Sequence, residues 1–317
     1  MRARPAAALA APVLALGLAA AAQTPSPAPA PAQVAPAARA GGTQPLEQAP
    51  RPAAPYLGRQ AVVDGFAVLP QPPTPGSREP AELVDRRAFE ATQKLQGTPR
   101  WALATRDADE SAAAVLADFD CVFGLDLNPE TAPALLRLLT RMRSDAGVQT
   151  TAAKNRFQHW RPFVSYGGEI CTPEQRDGVA HSWSYPSGHT FVGWSYGLVL
   201  AELAPDLATP VFQRARAYGE SRVVCGVHTV SDIEGGRVNA SMVVAALHAN
   251  AEFRADLEAA RQELATLRAK GGAPPAGRQC AVEREAMART PWLPEKDGSR
   301  PPAFPPKALP KPLPPLR

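Results

Sequence analysis

The sequence predicts an all-α protein: a single helical-bundle domain flanked by Pro-rich ends. Three observations carry that prediction. Apolar residues recur at three- and four-residue intervals, as in Leu135, Leu136, Leu138, Leu139 and Met142. Residues 189–205, HTFVGWSYGLVLAELAP, are apolar almost all round, as a helix buried on every side must be. No run alternates apolar and polar residues over the length of a strand, and no segment repeats.

Taken in order, the chain opens with two arginines and an apolar run of about seventeen residues that closes on Ala20 and Ala22. This is the layout of a signal peptide spanning 1–22, too short for a membrane span and with no cysteine after it to carry a lipid. Residues 23–58 hold nine prolines and read as an extended linker, and 291–317 hold ten more at the end of a basic tail, 271–317. Residues 59–270 are left as the folded domain. Within it, 80–125 should form two or three short helices. Residues 129–147 read as a helix behind an Asn128-Pro129 start, and 146–160 as the next, stopped by Arg161-Pro162. Helices are expected over 189–205, over 209–226 with Pro210 in the first turn, over 231–250, and over the amphipathic 251–270.

The overall charge of +4 sits in the ends. Residues 61–270 carry 21 basic and 25 acidic side chains, which argues against a nucleic-acid-binding domain. Cys121, Cys171, Cys225 and Cys280 can form two disulfides in any of three connectivities if the chain is exported, and their spacing matches no zinc pattern. No metal site and no cofactor is expected.

Three local patterns carry chemistry. In KNRFQHWRP, Lys154 and Arg161 stand seven residues apart, two turns of one helix, so their cations should point the same way and repel unless an anion lies between them. In SYPSGHTF, Ser187, Gly188 and His189 open the apolar helix, whose first N–H groups can meet an anion. In GESRVVCGVHTVSD, Arg222 precedes His228, and Asp232 follows one turn later, where a carboxylate can hold the imidazole Nδ1–H. Three cations, a helix N-terminus and two histidines are what displacement at phosphorus requires without a metal. The carboxylate-backed His228 is the better nucleophile and the other histidine the proton donor.

The ordered set K-x6-R-P, P-S-G-H and S-R-x5-H-x3-D resembles the signature of the type 2 phosphatidic acid phosphatase and vanadium haloperoxidase superfamily. Over about residues 70–270, with SYPSGHT and VVCGVH, the chain is similar to the bacterial class A non-specific acid phosphatases. The resemblance implies an all-α fold and an exported, periplasmic or secreted phosphomonoesterase of broad range acting through a phosphohistidine. By position, His228 is its nucleophile, Asp232 the partner that orients it and His189 its general acid. Lys154, Arg161, Ser187, Gly188 and Arg222 hold the phosphate. One departure is visible: Trp183 stands before SYPSGHT where class A chains usually have Gly, which bears on the substrate rim. If the segments after Arg161-Pro162 and Ser221-Arg222 meet at one pocket, Cys171 should pair with Cys225 and Cys121 with Cys280. The implied partners are small phosphate esters, with no nucleic acid and no membrane span after leader removal; a homo-oligomer is compatible with the sequence. The alternatives are a vanadate-dependent haloperoxidase on the same fold, or an exported phosphate-binding protein docked through its Pro-rich arms. Of the other histidines, His159 reads as structural and His248 as surface or packing, while His181 is a candidate for the pocket mouth.

Overall fold

The computed structural model describes residues 53–293; the leader, most of the 23–58 linker and residues 294–317 lie outside the described residues. Every regular element among them is helical. Five short helices come first: α1 (Gly65–Val68), α2 (Pro80–Gln93), α3 (Pro99–Arg106), α4 (Ala112–Ala117) and α5 (Asp120–Phe123). The body is α6 (Pro133–Phe157), α7 (Pro162–Ser165), α8 (Arg176–Ala180), α9 (Gly188–Leu203), α10 (Ala208–Val224), α11 (Val230–Leu247) and α12 (Ala251–Lys270), closed by α13 (Cys280–Ala288). Starts follow local chemistry. Proline occupies the first turn of α2, α3, α6 and α7, where its missing N–H costs nothing. Thr98, Ser111, Ser187, Thr229 and Asn250 cap α3, α4, α9, α11 and α12 with side-chain oxygens.

Helix α9 is the axis of the bundle, as its all-round apolarity requires. Phe191, Tyr196, Val199 and Leu200 are fully buried, and α6, α10 and α11 pack around them. Two glycines set how close those helices come. A Cβ on Gly193 would lie 2.3 Å from Cδ1 of Tyr218 on α10. One on Gly236 of α11 would lie 2.7 Å from the Ser187 carbonyl oxygen. Neither position tolerates a side chain without moving a helix. Helix α12 lays Phe253, Leu257, Ala260 and Leu264 into the same core at intervals of four, three and four.

The structure corrects the sequence reading in several places; residues 80–125, for instance, hold four helices, α2–α5, rather than two or three. Residues expected to form two helices, 129–147 and 146–160, form one: α6 runs 25 residues through Gly147, around which nothing crowds the backbone. The helix then stops earlier than proline alone would demand, because Gln158 adopts a left-handed conformation (φ 52°). Arg161 is therefore not on the Lys154 helix; it caps α7. Finally, both ends contribute to the fold. Tyr56 is buried, its N–H donating to the buried carboxylate of Asp145 (3.0 Å). Helix α13, within the stretch that reads as tail, packs on α3 and α10 and is tied to α5 by the Cys121–Cys280 disulfide. Cys171 pairs with Cys225, as the sequence suggested.

Candidate active site

Helix ends converge beside α9, and each brings one part of a cationic pocket. Lys154 lies in the last turn of α6, and its Nζ donates to the carbonyls of Trp183 (2.6 Å) and Ser184 (3.0 Å). Burial, with Arg161 close by, pushes its pKa down to about 7. Arg161 reaches the same place from the α7 cap. Its Nε donates to the Val179 and Ser182 carbonyls (3.1 Å each), and its Nη1 donates to the Val227 carbonyl (3.0 Å). Its Nη2 donates to Ser182 Oγ (3.0 Å), so the guanidinium is oriented on nearly every edge. The two cations converge, but across a helix break rather than along one helical face.

His228 sits just before α11, only 2% exposed. Its Nε2 faces Arg161 Nη1 at 3.1 Å, and because a guanidinium can only donate, Nε2 is the unprotonated nitrogen. The proton is on Nδ1, 3.1 Å from Asp232 Oδ2. Burial first, then the neighbouring Arg161, holds the His228 pKa well below the usual imidazole value. Asp232, at the third position of α11, also accepts from the Thr229 backbone N–H (2.9 Å) and caps its own helix. Burial opposes its charge, but the neighbouring imidazoles of His159 and His228 prevail and keep it well below the carboxylate range.

Ser187 caps α9, and its backbone N–H donates to the Asp232 carbonyl (3.0 Å), which fixes the PSGH turn to α11. Gly188 follows. A Cβ there would meet only Thr150 Oγ1 at 3.7 Å, so protein atoms do not fill the space that glycine leaves. On the next residue, His189 Nε2 lies 3.0 Å from the Ala108 carbonyl and Nδ1 lies 3.3 Å from Glu110 Oε2. Burial and then the Arg222 charge push the His189 pKa down to about 4. Arg222, in the last turn of α10 and 4% exposed, keeps Nε and Nη1 without a hydrogen-bond partner. Buried cationic donors left unpaired are costly, and an anion satisfies them. A cleft of about 830 Å³ opens against His189, lined among others by Glu110, Ser111, Thr140, Arg143 and Thr172.

Three participants escaped the sequence reading. Ser184 Oγ donates to Asp232 Oδ2 by a very short hydrogen bond and lies 3.1 Å from His228 Nδ1. It stood inside the SYPSGHT stretch, so a local signal existed. Glu110 comes from the α3–α4 loop, 79 residues before His189, with no signal at all. The loop is held by the buried ion pair Asp107–Arg214 (2.7 Å) and by Ser221 Oγ, which donates to Asp107 Oδ2 (2.5 Å). His159, read as structural, has its Nδ1 3.4 Å from Asp232 Oδ1 and belongs to the site. His181 is exposed, and His248 is half-exposed and pairs with Glu202 (3.3 Å). The carbonyl of Trp183 serves the cations, while its ring packs edge-on against the half-exposed Trp160 (4.8 Å).

Comparison with known proteins gives the family. Residues 134–255, which hold every residue of the three motifs, match the PAP2 superfamily. An acid phosphatase of Zymomonas mobilis is 43% identical over 223 residues, covering 70% of this chain and 83% of that protein. A non-specific acid phosphatase of Providencia stuartii is 39% identical over 67% of this chain and 86% of its own length. One from Salmonella typhimurium is 36% identical over 61% and 78%. On the family match and these identities, the chain belongs to the PAP2 superfamily, alongside proteins named acid phosphatase and non-specific acid phosphatase.

Proposed function

We propose that the protein is an exported acid phosphatase that hydrolyses a broad range of phosphate monoesters through a phosphohistidine on His228, without a metal. The observation that carries this reading is the state of His228. Its Nε2 lone pair faces the Arg161 guanidinium while Asp232 and Ser184 hold Nδ1. A phosphoryl group drawn to Lys154, Arg161 and Arg222 would meet that lone pair. The Nε2–P bond forms as the P–O bond to the leaving alcohol breaks, and His189 gives its proton to the departing oxygen. Water then attacks phosphorus, His189 takes a proton from it, the N–P bond breaks and inorganic phosphate leaves. Asp232 offsets the charge that His228 acquires in the phosphorylated state. The α9 N-terminus, with Ser187 and Gly188, adds backbone donors to the phosphoryl oxygens. Three fixed cations supply the charge neutralisation for which other phosphatases use a metal.

The names of the relatives support phosphatase chemistry, and the leader-like N-terminus together with two disulfides supports export. Among the described residues no helix is long and apolar enough to cross a membrane. The reading is tested by following hydrolysis of p-nitrophenyl phosphate with and without EDTA, then acid-quenching the reaction with labelled substrate. Turnover unaffected by chelation, with label on His228, is the expected result. Loss of activity on chelation, or label on another residue, would reject it.

A further inference from the structure

We propose that His159 is a buried imidazolium sharing Asp232 with His228, and that its fixed charge keeps the attacking imidazole neutral at acid pH. The inference rests on the reading of His228 as nucleophile. The geometry stands by itself. The His159 ring is 7% exposed and meets an acceptor on each nitrogen: the Pro73 carbonyl, 3.1 Å from Nε2, and Asp232 Oδ1, 3.4 Å from Nδ1. A carbonyl and a carboxylate only accept. A neutral imidazole would set a lone pair against one of them; His189 also faces a carbonyl and a carboxylate, but its side chain is 21% exposed and lies beside the Arg222 charge, whereas His159 is more deeply buried. Asp232 Oδ1 and His159 Nδ1 are both buried and neither has a hydrogen-bond partner; they face each other at 3.4 Å. One proton on that nitrogen satisfies both buried atoms at once.

The groups around the pair agree. Asp85 of α2, whose Oδ1 accepts from the Ser231 N–H (2.9 Å), adds a second carboxyl near His159, itself pushed up to about 6 by burial. Tyr185 presents its ring edge-on at 6.4 Å, and the charged groups that act most strongly on His159 are the carboxylates of Asp232 and Asp85. Burial disfavours the charged ring, but the hydrogen bond and charge of Asp232 prevail and raise its pKa. On the far side of the carboxylate, His228 faces Arg161 and Lys154, which repel a proton from it. One carboxylate charge is therefore divided between two imidazoles, and the cationic surroundings decide which of them holds the proton. His159 acts through Asp232 and is a positioning residue.

Nitrogen-15 NMR of the histidine-labelled full chain, without substrate, reads the protonation state directly. At pH 7.5 a free imidazole is about nine-tenths neutral, given an ordinary pKa near 6.5. The signals missing from His159→Gln should instead show two protonated nitrogens. An unprotonated nitrogen on His159 at that pH overturns the proposal, whatever reaction the enzyme catalyses. The kinetic consequence is a shift. With His159→Gln the whole Asp232 charge falls on His228, so the acid limb of kcat/KM should move up by at least one pH unit. His159→Arg, which restores a cation, should return it toward the wild-type position. A rate lowered evenly at every pH in His159→Gln would mean that the side chain only packs, and would also overturn the proposal.

Discussion

An imidazole can attack phosphorus only through a nitrogen whose lone pair is free, and it can donate to a leaving group only if it is protonated. The two histidines of this pocket are set apart by their neighbours. His228 is backed by Asp232 and Ser184, and His189 by the Ala108 carbonyl and Glu110. His189→Ala should therefore spare esters with a good leaving group such as p-nitrophenolate. Alkyl phosphates should fall by about 10²–10⁴-fold, the usual range for general acid help. The same variant should accumulate label on His228, and equal losses on both ester types would reverse the assignment. The pH profile follows from the same residue. His189 in the free enzyme has a pKa pushed down to about 4, so its proton is lost as pH rises through that value and kcat/KM falls. A bound phosphate dianion adds negative charge beside it and raises the pKa, so kcat should persist to higher pH. After correction for the ester's own second ionisation, near pH 6, the two alkaline limbs should lie at least one unit apart; coincident limbs would contradict this. The motif residues were legible because their types and spacing are set by phosphate chemistry. His159 and Glu110 were not, since nothing in a linear chain reports that α11 will face His159 or that the α3–α4 loop will face His189.

Helices α9, α10 and α11 must approach closely for their ends to form one pocket, and glycine permits it. In Gly193→Ala the added methyl would meet the Tyr218 ring at 2.3 Å, so α10 must shift or the ring must leave its place. A stability loss of about 1–3 kcal/mol is expected, the usual cost of overpacking. Because α10 carries Arg222, KM should rise as well. Unchanged melting and unchanged KM would show that the contact is not needed. At this scale the sequence was a good guide to which segments are helical and a poor one to where they stop. The Leu135–Met142 spacing announced α6, but Gly147 suggested a break that packing against α12 and α9 overrides. The real break, at Gln158, has no glycine or proline to mark it. It places Arg161 at the head of α7, facing Lys154 across the pocket. Proline content likewise hid Tyr56 and α13, since burial and a distant cysteine, rather than local composition, order those stretches.

For the molecule as a whole, the pocket concentrates positive charge in a domain whose central residues are net acidic. Folding brings Lys154, Arg161 and Arg222 out of water without an equal number of anions at hand. A lysine whose pKa falls on folding contributes stability that is present above its unfolded value, near 10.4, and lost as pH falls through about 7. Below pH 7 an anion relieves that burden; above it, binding must first return a proton to the amine. Sulfate, a dianion throughout, should therefore raise the melting temperature more at pH 6 than at pH 8.5, and Arg222→Ala should shrink the shift at both. An equal shift at the two pH values would remove Lys154 from the binding site. The Cys171–Cys225 bridge bears on where such a pocket can exist at all. It spans 54 residues that include Trp183, Ser184, Ser187, Gly188, His189 and Arg222, and the Cys171 N–H donates to the Cys225 carbonyl (3.0 Å) at its neck. Closing a loop of that size is worth about 4 kcal/mol in the chain-entropy model. Among reducing thiols that contribution is forfeited, and the segment bearing Ser187, Gly188, His189 and Arg222 is tied only by weaker bonds. The fold is thus least well assembled where thiols stay reduced, and best assembled once oxidation has closed the bridge around the pocket.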